Sequence, residues 1–499
     1  MAEENGIPRR RRQRLLTLDN DQSERHASWL ELFFDLVFVL AVSKVALILG
    51  SESDIAGFLK YSALFVAVWW TWVGYTFYAD RFESNETEYR VMTFASMLAV
   101  AALSITVGGA FSAAGDMAFV GCYAAVRLIL VAQYARTAYY VPVARSLAVQ
   151  YVVGFGIAVL ILLSSLLVAP PLRYYIWGAV MLIELGTPFI NSRITRLIPF
   201  DLSHIPERFG LFTIIVLGEA VIATANGAAG VPWTIWTAAT AALGFSMAAC
   251  IWWINFDFVE DSAIKSPRLL ARFVFILCHF FIVASIVAIG IGVEHAIKEE
   301  VAGSLKLATS VMLGTAVAVY LGSITVVRLI SGVCNLVNSR LISIAFAVVV
   351  AIAGVWLPPI AAVAILALVL SFGVWFEGRY AHDEEEAEAA PRLVPCEHEA
   401  AAKVFQPRSN QGCEQCVKNN YKWVHLRMCL VCGHVGCCDS SRNKHATKHY
   451  HSEGHPLMAS LEDEDNWAWC YEDERFVPLA ERIGLYRPTK KELVEVEAA

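Results

Sequence analysis

The chain has 499 residues, of which 57% are hydrophobic and 17% are charged, and its formal net charge is -7. Soluble domains carry about 25% charged residues, so this composition excludes a protein whose whole surface faces water. The small net charge identifies no class of partner.

The first 28 residues form a polar, basic segment that includes four consecutive arginines, Arg9 to Arg12. This segment lacks the apolar core of a cleavable signal peptide. We therefore expect residues 1–28 to be a basic cytoplasmic tail that precedes the first membrane span.

Twelve apolar runs follow between Trp29 and Tyr380. A helix needs about 20 apolar residues to cross the hydrocarbon core of a bilayer, and each run comes close to that length. One such run could be a buried helix of a soluble protein, but twelve in succession predict an all-α polytopic membrane bundle over residues 29–380. The expected bounds are 30–49, 55–78, 91–111, 117–139, 146–168, 172–190, 204–225, 232–256, 270–293, 306–328, 339–357 and 360–379.

Cations are distributed unevenly between the predicted loops. The even-numbered loops carry pairs such as Arg81 with Arg90 and Arg136 with Arg145, whereas the odd-numbered loops have few cations. Because cytoplasmic loops are enriched in Lys and Arg, this bias predicts that both termini are cytoplasmic. The expected location is the cell (inner) membrane, and the cysteines then lie in a reducing compartment.

The predicted bundle also shows signs of an internal duplication. Trp69-Trp70 corresponds to Trp252-Trp253, and Pro170-Pro171 to Pro358-Pro359, at offsets of roughly 180 to 190 residues and in the same order. Six spans per unit give both units the same orientation, as in the parallel repeats of some transporters. We expect two parallel six-helix repeats, at about 29–200 and 204–380.

Several ionisable residues fall inside the predicted spans, where charge is costly and usually faces a bundle interior or a wet cavity. They could form an ion or proton path, or they could be structural ion pairs, such as Arg127 with Glu184, that lock the bundle. The candidate membrane sites are Glu31, Asp35, Arg127, Glu184, Glu219 and His279.

Two segments of the bundle carry a family resemblance. The sequences SWLELFFDLVFVLAVSKVA at 28–46 and HIPERFGLFTIIVLGEAVIA at 204–223 resemble the bacterial low temperature requirement A family, as do WWINFDF at 252–258 and the stretch 279–294. The resemblance extends over about residues 25–380 and implies a bacterial polytopic membrane protein. It implies no substrate.

The composition changes at residue 381, where AHDEEEAEAA holds five carboxylates in ten residues. This charge run predicts a solvated acidic linker over 381–395. Eight of the twelve cysteines and seven of the twelve histidines then lie between Cys396 and Cys470.

Two Cys-x-x-Cys pairs, Cys413 with Cys416 and Cys429 with Cys432, occur in this region close to many histidines. Zinc prefers four tetrahedral thiolate and imidazole ligands, and a Cys-x-x-Cys turn supplies two of them. The alternative is a set of reduced structural cysteines with surface histidines. The density of ligand types favours a small α/β zinc-binding domain over residues 396–480, followed by a tail at 481–499.

This pattern is similar to the ubiquitin-protease-type (UBP-type) zinc finger, and the resemblance implies the ligand sets. It implies two zinc ions and leaves a third open, because Asp473 stands where the family usually has a cysteine. Cys438, His434 and His451 are expected not to be ligands. The first implied set is Cys413, Cys416, Cys437 and His445, the second is Cys429, Cys432, His449 and His455, and the third is Cys396, His398, Cys470 and Asp473.

In ubiquitin-binding members of that family, the finger captures a free C-terminal Gly-Gly carboxylate between aromatic side chains, with the help of an arginine. The resemblance assigns Trp469 and Tyr471 to the aromatic wall, although packing of a small core is an equally good interpretation. Asp439 occupies the arginine position, so Arg427 or Arg442 would have to compensate.

Transport of a small ion or solute, with the finger as a regulatory or docking module, is the leading functional hypothesis. The rival is a non-transporting receptor or adaptor whose finger recruits a protein partner, and whose ligand could be a ubiquitin-like C-terminal tail. We expect no enzyme, since neither a cysteine-protease constellation nor a dyad for lipid chemistry can be singled out. We also expect no nucleic-acid partner, because the finger has acidic residues such as Glu462 where phosphate contacts need a basic face.

Overall fold

The protein is described from a computed structural model. It describes residues 27–477, except 52–53, 85, 113–114, 191–203, 258–268, 331–336, 390–395, 404–405 and 463–466. Most of the predicted basic tail, the end of the acidic linker and the predicted tail at 481–499 therefore lie outside the described residues.

Two compact units divide the chain, one up to Gly378 and one from Arg379. The described helices that begin in the first unit are numbered in chain order, and the last of them runs past Gly378. They are α1 (Trp29–Ser51), α2 (Ile55–Phe82), α3 (Thr87–Thr106), α4 (Asp116–Tyr140), α5 (Arg145–Ser164), α6 (Leu172–Gly186), α7 (His204–Ala229), α8 (Ile235–Asp257), α9 (Leu269–Glu300), α10 (Leu307–Ile330), α11 (Val337–Ala353) and α12 (Pro359–Ala389).

Eleven of these described helices are long and apolar enough to cross a membrane, judged by length and composition. The predicted all-α bundle is confirmed. The sixth predicted span differs, because α6 has only 15 residues and continues as a 3-10 turn, Thr187–Phe189. Pro188 lies in that turn, and a proline cannot donate the backbone hydrogen bond that would extend the α-helix.

Local signals in the sequence explain how some helices begin and end. At the start of α2, the Asp54 side chain accepts a hydrogen bond of 2.8 Å from the backbone N–H of Gly57, which is an N-cap. The last helix, α12, extends into the acidic segment as far as Ala389. Part of the predicted linker is therefore helical.

The first five helices of each set pack in the same order. In the first set α1 contacts α2 and α3, α3 contacts α4, and α4 contacts α5. In the second set α7 contacts α8 and α9, α9 contacts α10, and α10 contacts α11. The two tryptophan pairs differ in environment, since Trp69-Trp70 is buried whereas Trp252-Trp253 is half-exposed. The packing order is the one expected of a parallel duplication, which stays a prediction.

Helices of the two sets meet along α1 and α2, which both contact α7 and α9. Aromatic side chains fill this contact. The Trp72 ring lies 4.3 Å from the ring of Phe212 and 4.9 Å from that of Phe209, measured between centroids. All three side chains are buried, so apolar packing holds the two sets together around the polar groups described below.

The second unit contains a five-stranded antiparallel sheet with strand order β2-β1-β3-β4-β5. The described strands are β1 (Leu426–Cys429), β2 (Val435–Cys437), β3 (Leu457–Ser460), β4 (Ala468–Cys470) and β5 (Arg475–Val477), and the helices are α13 (Glu414–Lys418) and α14 (His445–Glu453).

Strand β2 passes very close to the start of α14 at Gly436. A Cβ atom at that position would lie 2.6 Å from the backbone nitrogen of Ala446, so a larger residue would push the two elements apart. This approach brings Cys437, at the end of β2, next to His445, the first residue of α14.

Candidate metal centres and buried charge clusters

The first four-residue centre consists of Cys413, Cys416, Cys437 and His445. His445 Nδ1 lies 3.2 Å from the Sγ atoms of both Cys413 and Cys416, and 3.4 Å from Cys437 Sγ. The Sγ atoms of Cys416 and Cys437 are 3.9 Å apart. Two thiolates on a tetrahedral zinc ion, with Zn–S bonds of about 2.3 Å, would lie about 3.8 Å apart. The geometry therefore fits a zinc ion at the centre of the group.

The second centre brings together Cys429, Cys432, His449 and His455. Cys432 Sγ lies 3.3 Å from His449 Nε2, and Cys429 Sγ lies 3.6 Å from His455 Nδ1. The two imidazole nitrogens are 3.2 Å apart. A turn supported by a hydrogen bond from Gly433 N–H to the Cys429 carbonyl orients the two thiols toward the same point.

The third centre contains Cys396, His398, Cys470 and Asp473. His398 Nδ1 lies 3.5 Å from Cys470 Sγ and 3.3 Å from Asp473 Oδ2. In each of the three centres, the four ligand atoms lie within 4.8 Å of one another. Asp473 Oδ2 also accepts a hydrogen bond of 3.1 Å from Arg475, which competes with a metal ion for that oxygen.

Burial changes the acid–base behaviour of these ligands when no metal is bound. It raises the pKa of Cys416 to about 12 and that of Cys429 to about 11, and it lowers the pKa of His449 to about 4. These thiols therefore hold their protons at neutral pH, whereas His449 is neutral. A zinc ion must displace the thiol protons but finds the His449 imidazole ready to bind.

The remaining cysteine and histidines lie outside the three centres. Cys438 Sγ contacts Ser441 Oγ at 3.5 Å. His434 Nδ1 contacts Glu414 Oε1 at 3.1 Å, and its ring stacks on that of His449 with 4.3 Å between centroids. The His434 ring therefore lies against the ring of a residue of the second centre without belonging to that centre. His451 is exposed.

The two candidate peptide-binding aromatics lie on either side of Cys470 in the sequence but have different neighbours. Trp469 packs edge-on against Phe476 at 5.0 Å, whereas Tyr471 stacks on Tyr450 at 5.0 Å. The Tyr471 hydroxyl lies 3.1 Å from Thr447 Oγ1, which donates a hydrogen bond of 2.5 Å to Asp439. A carboxylate is thus placed close to the tyrosine.

Arg427, one of the two arginines that could replace the missing one, is held in the sheet. It donates a hydrogen bond of 2.9 Å to Ser460 Oγ, and its guanidinium lies 4.5 Å from the centroid of the Trp467 ring. These contacts hold the Arg427 guanidinium beside the Trp467 ring.

In the membrane bundle, Glu31 and Asp35 on α1 both pair with Arg208 on α7. The Arg208 Nη1–Glu31 Oε1 and Nη2–Asp35 Oδ1 distances are each 2.6 Å, and Trp72 Nε1 donates a hydrogen bond of 2.8 Å to Asp35 Oδ1. His204 joins the same group, which we call the charged cluster: Glu31, Asp35, Asp80, His204 and Arg208. All five side chains are buried.

Sequence reasoning missed Asp80 and His204. His204 Nδ1 lies 2.9 Å from Asp80 Oδ1, and its Nε2 lies 3.3 Å from Glu31 Oε2. A signal was available, because His204 and Arg208 are four residues apart at the start of one span, as Glu31 and Asp35 are at the start of another. Residues at that spacing lie on one face of a helix.

Arg127 and Glu184 form a fully buried ion pair between α4 and α6. Tyr123 completes the group, since its hydroxyl donates a 2.8 Å hydrogen bond to Glu184 and accepts one of 3.0 Å from Arg127. The Phe155 ring covers the guanidinium, with 5.2 Å from Cζ to the ring centroid. Of the two interpretations considered for these residues, this geometry favours the structural pair.

The other two candidate membrane residues lie elsewhere in the bundle. His279 on α9 is buried between the rings of Phe209 and Phe275, and its Nδ1 lies 3.0 Å from the Phe275 carbonyl oxygen. Glu219 on α7 is half-buried, and among the residues that the structure describes no hydrogen bond or ion pair of its side chain is seen. The structure therefore does not gather the deep candidates into one site.

Comparison with known families identifies the family of the membrane bundle. The family model described as bacterial low temperature requirement A protein matches residues 26–374. The chain belongs to the bacterial low temperature requirement A family. A second model, described as the zinc finger in ubiquitin hydrolases and other proteins, matches residues 413–481. Both predicted resemblances are confirmed.

Relatives of this low temperature requirement A protein match its two parts separately. An uncharacterized protein of Rhizobium meliloti (strain 1021) is 26% identical over 309 residues, which are 56% of this chain and 71% of the relative. Ubiquitin carboxyl-terminal hydrolase 16 of Mus musculus is 52% identical over 48 residues, which are 9% of this chain and 6% of the hydrolase. The chain thus spans most of the bacterial relative but only a small part of the hydrolase.

A protein of Rhodopseudomonas palustris, solved by solution NMR, is 42% identical and covers 19% of this chain and 97% of its own length, with a TM-score of 0.17.

The range matched by the zinc-finger model includes two of the three metal centres. The first two centres lie wholly within residues 413–481, whereas Cys396 and His398 of the third precede that match. The charged cluster lies within the matched part of the bundle. This low temperature requirement A protein is accordingly a multi-pass membrane protein, and its finger match and Cys/His clusters support zinc binding.

Proposed function

We propose that the protein transports a small ion or solute across the inner membrane, with both termini and the zinc module in the cytoplasm. The charged cluster carries this proposal. It joins α1 and α2 of the first helix set to α7 of the second through Arg208 and His204. Ionisable residues buried in a bundle commonly belong to ion or proton paths.

The position of the cluster suits a transport cycle between two duplicated halves. In transporters built from repeats, substrate and coupling-ion sites lie near the bilayer midplane where the repeats meet. The charged cluster shares the contact between the helix sets, but it lies near the starts of α1 and α7, as a gate at one end of such a path would. A shift of one helix set against the other would break the pairs of Arg208 with Glu31 and Asp35. Binding of a cation or proton to these carboxylates would weaken the same pairs, so ligand binding and helix movement would be coupled.

Flux measurements with the full chain in lipid vesicles test this proposal. The probes are protons, sodium and potassium, each followed with an entrapped dye. We expect Asp35→Asn to lose most of the flux, because Asp35 pairs with Arg208 between the helix sets. Asp116→Asn is the matched control, since Asp116 is a buried aspartate that pairs with Arg173 within the first set. Equal losses in both variants would contradict a transport role for the cluster.

The expected orientation has a separate test. A reporter that is active only in the cytoplasm, fused after Ala499, should be active. A fusion that is produced in full but inactive, while a reporter that is active only outside the cytoplasm is active at the same position, would overturn the orientation and, with it, the expectation that the zinc ligands stay reduced.

The zinc module would act as a regulatory or docking domain that holds two zinc ions in the first two centres. The third centre stays open, because Arg475 competes for Asp473. A peptide C-terminus is the proposed ligand, since the finger matches that of a ubiquitin hydrolase. Asp439 beside Tyr471 opposes a free carboxylate there, so we expect weak capture of a ubiquitin-like tail unless Arg427 compensates.

A second function is favoured by one observation. The Arg127–Glu184 pair is buried and bonded to Tyr123, as expected of a bundle that is locked rather than conducting. In this alternative the protein is a membrane adaptor whose finger recruits a partner. Vesicles that contain the wild-type chain and are as tight as empty vesicles to all three probes would favour the adaptor.

A further inference from the structure

The imidazole of His204 lies between two buried carboxylates. Its Nδ1 is 2.9 Å from Asp80 Oδ1, and its Nε2 is 3.3 Å from Glu31 Oε2. The side chains of His204 and Asp80 are 0% exposed, and that of Glu31 is 3% exposed. Both contacts are therefore shielded from bulk water.

The hydrogen-bonding capacity of the three groups limits how many protons they carry. An ionised carboxylate only accepts hydrogen bonds, and a neutral imidazole has one N–H donor and one acceptor nitrogen. If both carboxylates are ionised, both contacts are hydrogen bonds only when the imidazole is doubly protonated. If the imidazole is neutral, one carboxyl group must carry the proton. An acceptor facing an acceptor in a buried site would cost free energy.

We propose that Glu31, His204 and Asp80 form a proton-binding site that holds one exchangeable proton at neutral pH. This inference goes beyond transport, because the geometry requires the proton whether or not a solute crosses the membrane. The ligand is a proton rather than a metal ion, since all the clusters with metal-ligand spacing among the described residues lie in the zinc module.

Several charged and titratable groups surround the site. Arg208 compensates part of the carboxylate charge by pairing with Glu31 and Asp35, so the site can gain or lose its proton without leaving these two acids unpaired. The groups on elements packed around it include Asp35 on α1, Tyr75, Tyr78 and Arg81 on α2, Glu83 just beyond α2, Tyr89 on α3, Glu207 and Arg208 on α7, and Arg272 and His279 on α9.

A small cavity adjoins the site and offers a route for proton exchange. Its volume is about 20 Å³, and Glu31, Tyr78, Tyr89, Gln133 and Arg208 are among its lining residues. About 10–15 Å³ is enough for one water molecule when polar partners are present. Gln133 Oε1 is buried and lacks a hydrogen-bond partner among the described residues, so a water there would have an acceptor.

The state of the proton affects how the helix sets are joined. With the proton bound, His204 on α7 bridges to Glu31 on α1 and to Asp80 on α2. After the proton leaves, one of these two bridges becomes a contact between two acceptors. We infer that proton release weakens the contact between α7 and the first helix set.

Solid-state NMR of the full-length, zinc-loaded protein in lipid nanodiscs tests the site, with the histidine rings labelled with ¹⁵N. We expect an imidazolium signal at neutral pH that His204→Gln removes, in addition to any signals of exposed histidines, which the variant leaves unchanged. His279→Gln is the matched control and should leave the signal unchanged, because His279 is buried against a backbone carbonyl with no carboxylate contact among the described residues. If the proton lies instead on a carboxyl group, infrared spectra of the wild-type protein should show the band of a protonated carboxyl group. Asp80→Asn or Glu31→Gln should then remove this band.

Either signal, assigned to this site, would support the proposal. A neutral His204 ring at neutral pH, with no protonated-carboxyl band lost in either acid variant, would overturn it. If His204→Gln fails to fold, His204→Lys keeps a cation between the carboxylates and should fold while losing the imidazolium signal. These measurements need no flux, so they are independent of the transport experiment.

Discussion

In the membrane bundle, one continuous apolar core from α1 to α12 encloses a few buried charge clusters. In the zinc module, the core has fourteen buried residues, and five of them are cysteines of the metal centres. The bundle can keep its helices without any ligand, because apolar residues and intrahelical hydrogen bonds satisfy the membrane environment. The core of the module is small and includes metal-centre cysteines, so we expect its fold to depend on metal.

Removal of zinc should have the largest effect, and it would sharpen the comparison between the bundle and the zinc module. Zinc binding contributes about 10–16 kcal/mol to the folding of small zinc domains at neutral pH. A chelator should therefore unfold the module and leave the bundle helical. Limited proteolysis, followed by circular dichroism of the membrane fragment, would show the difference.

Elemental analysis of a 390–499 fragment should find at least two zinc ions per chain. One ion or fewer with an intact fold would contradict the assignment of two centres.

Acid should release the metal, because the two centres contain five thiols that must lose their protons, and burial raises the pKa of thiols such as Cys416. Falling pH favours the protonated thiols and so weakens zinc binding.

A break in a buried ion pair of the bundle should have the next largest effect. Arg127→Gln leaves Glu184 buried without its charge partner, and such a loss costs about 3–5 kcal/mol. The double variant Arg127→Met with Glu184→Met should recover most of this stability, since no isolated charge remains. Lys298→Gln is the control, because its i,i+4 pair with Glu294 is partly exposed and should contribute less than about 1 kcal/mol.

Thermal unfolding of the purified protein in detergent measures all of these variants. If Arg127→Gln were as stable as wild type, the pair would not lock the bundle, and the adaptor function would lose its support.

The same comparison explains what could be predicted from sequence. The Cys and His spacings of the module, such as Cys413 with Cys416, specify local turns, and the structure gathers the residues that the family resemblance implied. In the bundle, run length predicted the helices, but not that α6 would end at Gly186. It also could not show that His204 meets Asp80, because that contact depends on how α2 and α7 pack.

A charge reversal at Asp439 should have a smaller effect on the module. A peptide that ends in a free Gly-Gly carboxylate would meet the Asp439 carboxylate near Tyr471. Asp439→Arg should strengthen binding of this peptide about tenfold, which corresponds to about 1.4 kcal/mol. Titration calorimetry with the zinc-loaded chain measures the change. Glu453→Arg makes the same charge change at the end of α14 and should have little effect. An equal gain in both variants would indicate nonspecific attraction rather than recognition at the aromatic wall.

The smallest change in stability is expected for a substitution of Glu219. This variant distinguishes a structural role of a buried carboxylate from a role in ion or proton flux. Glu219 is half-buried on α7, and the preceding Gly218 has no neighbouring atom within 4 Å of the position of a Cβ atom. Since no described partner holds Glu219, Glu219→Gln should change the free energy of unfolding by less than about 0.5 kcal/mol. If Glu219 belongs to an ion or proton path, the same variant should lose flux in vesicles, because Gln keeps the shape but cannot exchange a proton. Unchanged flux would remove Glu219 from the path. A loss of both flux and stability would instead indicate a structural pair, like that of Arg127 with Glu184.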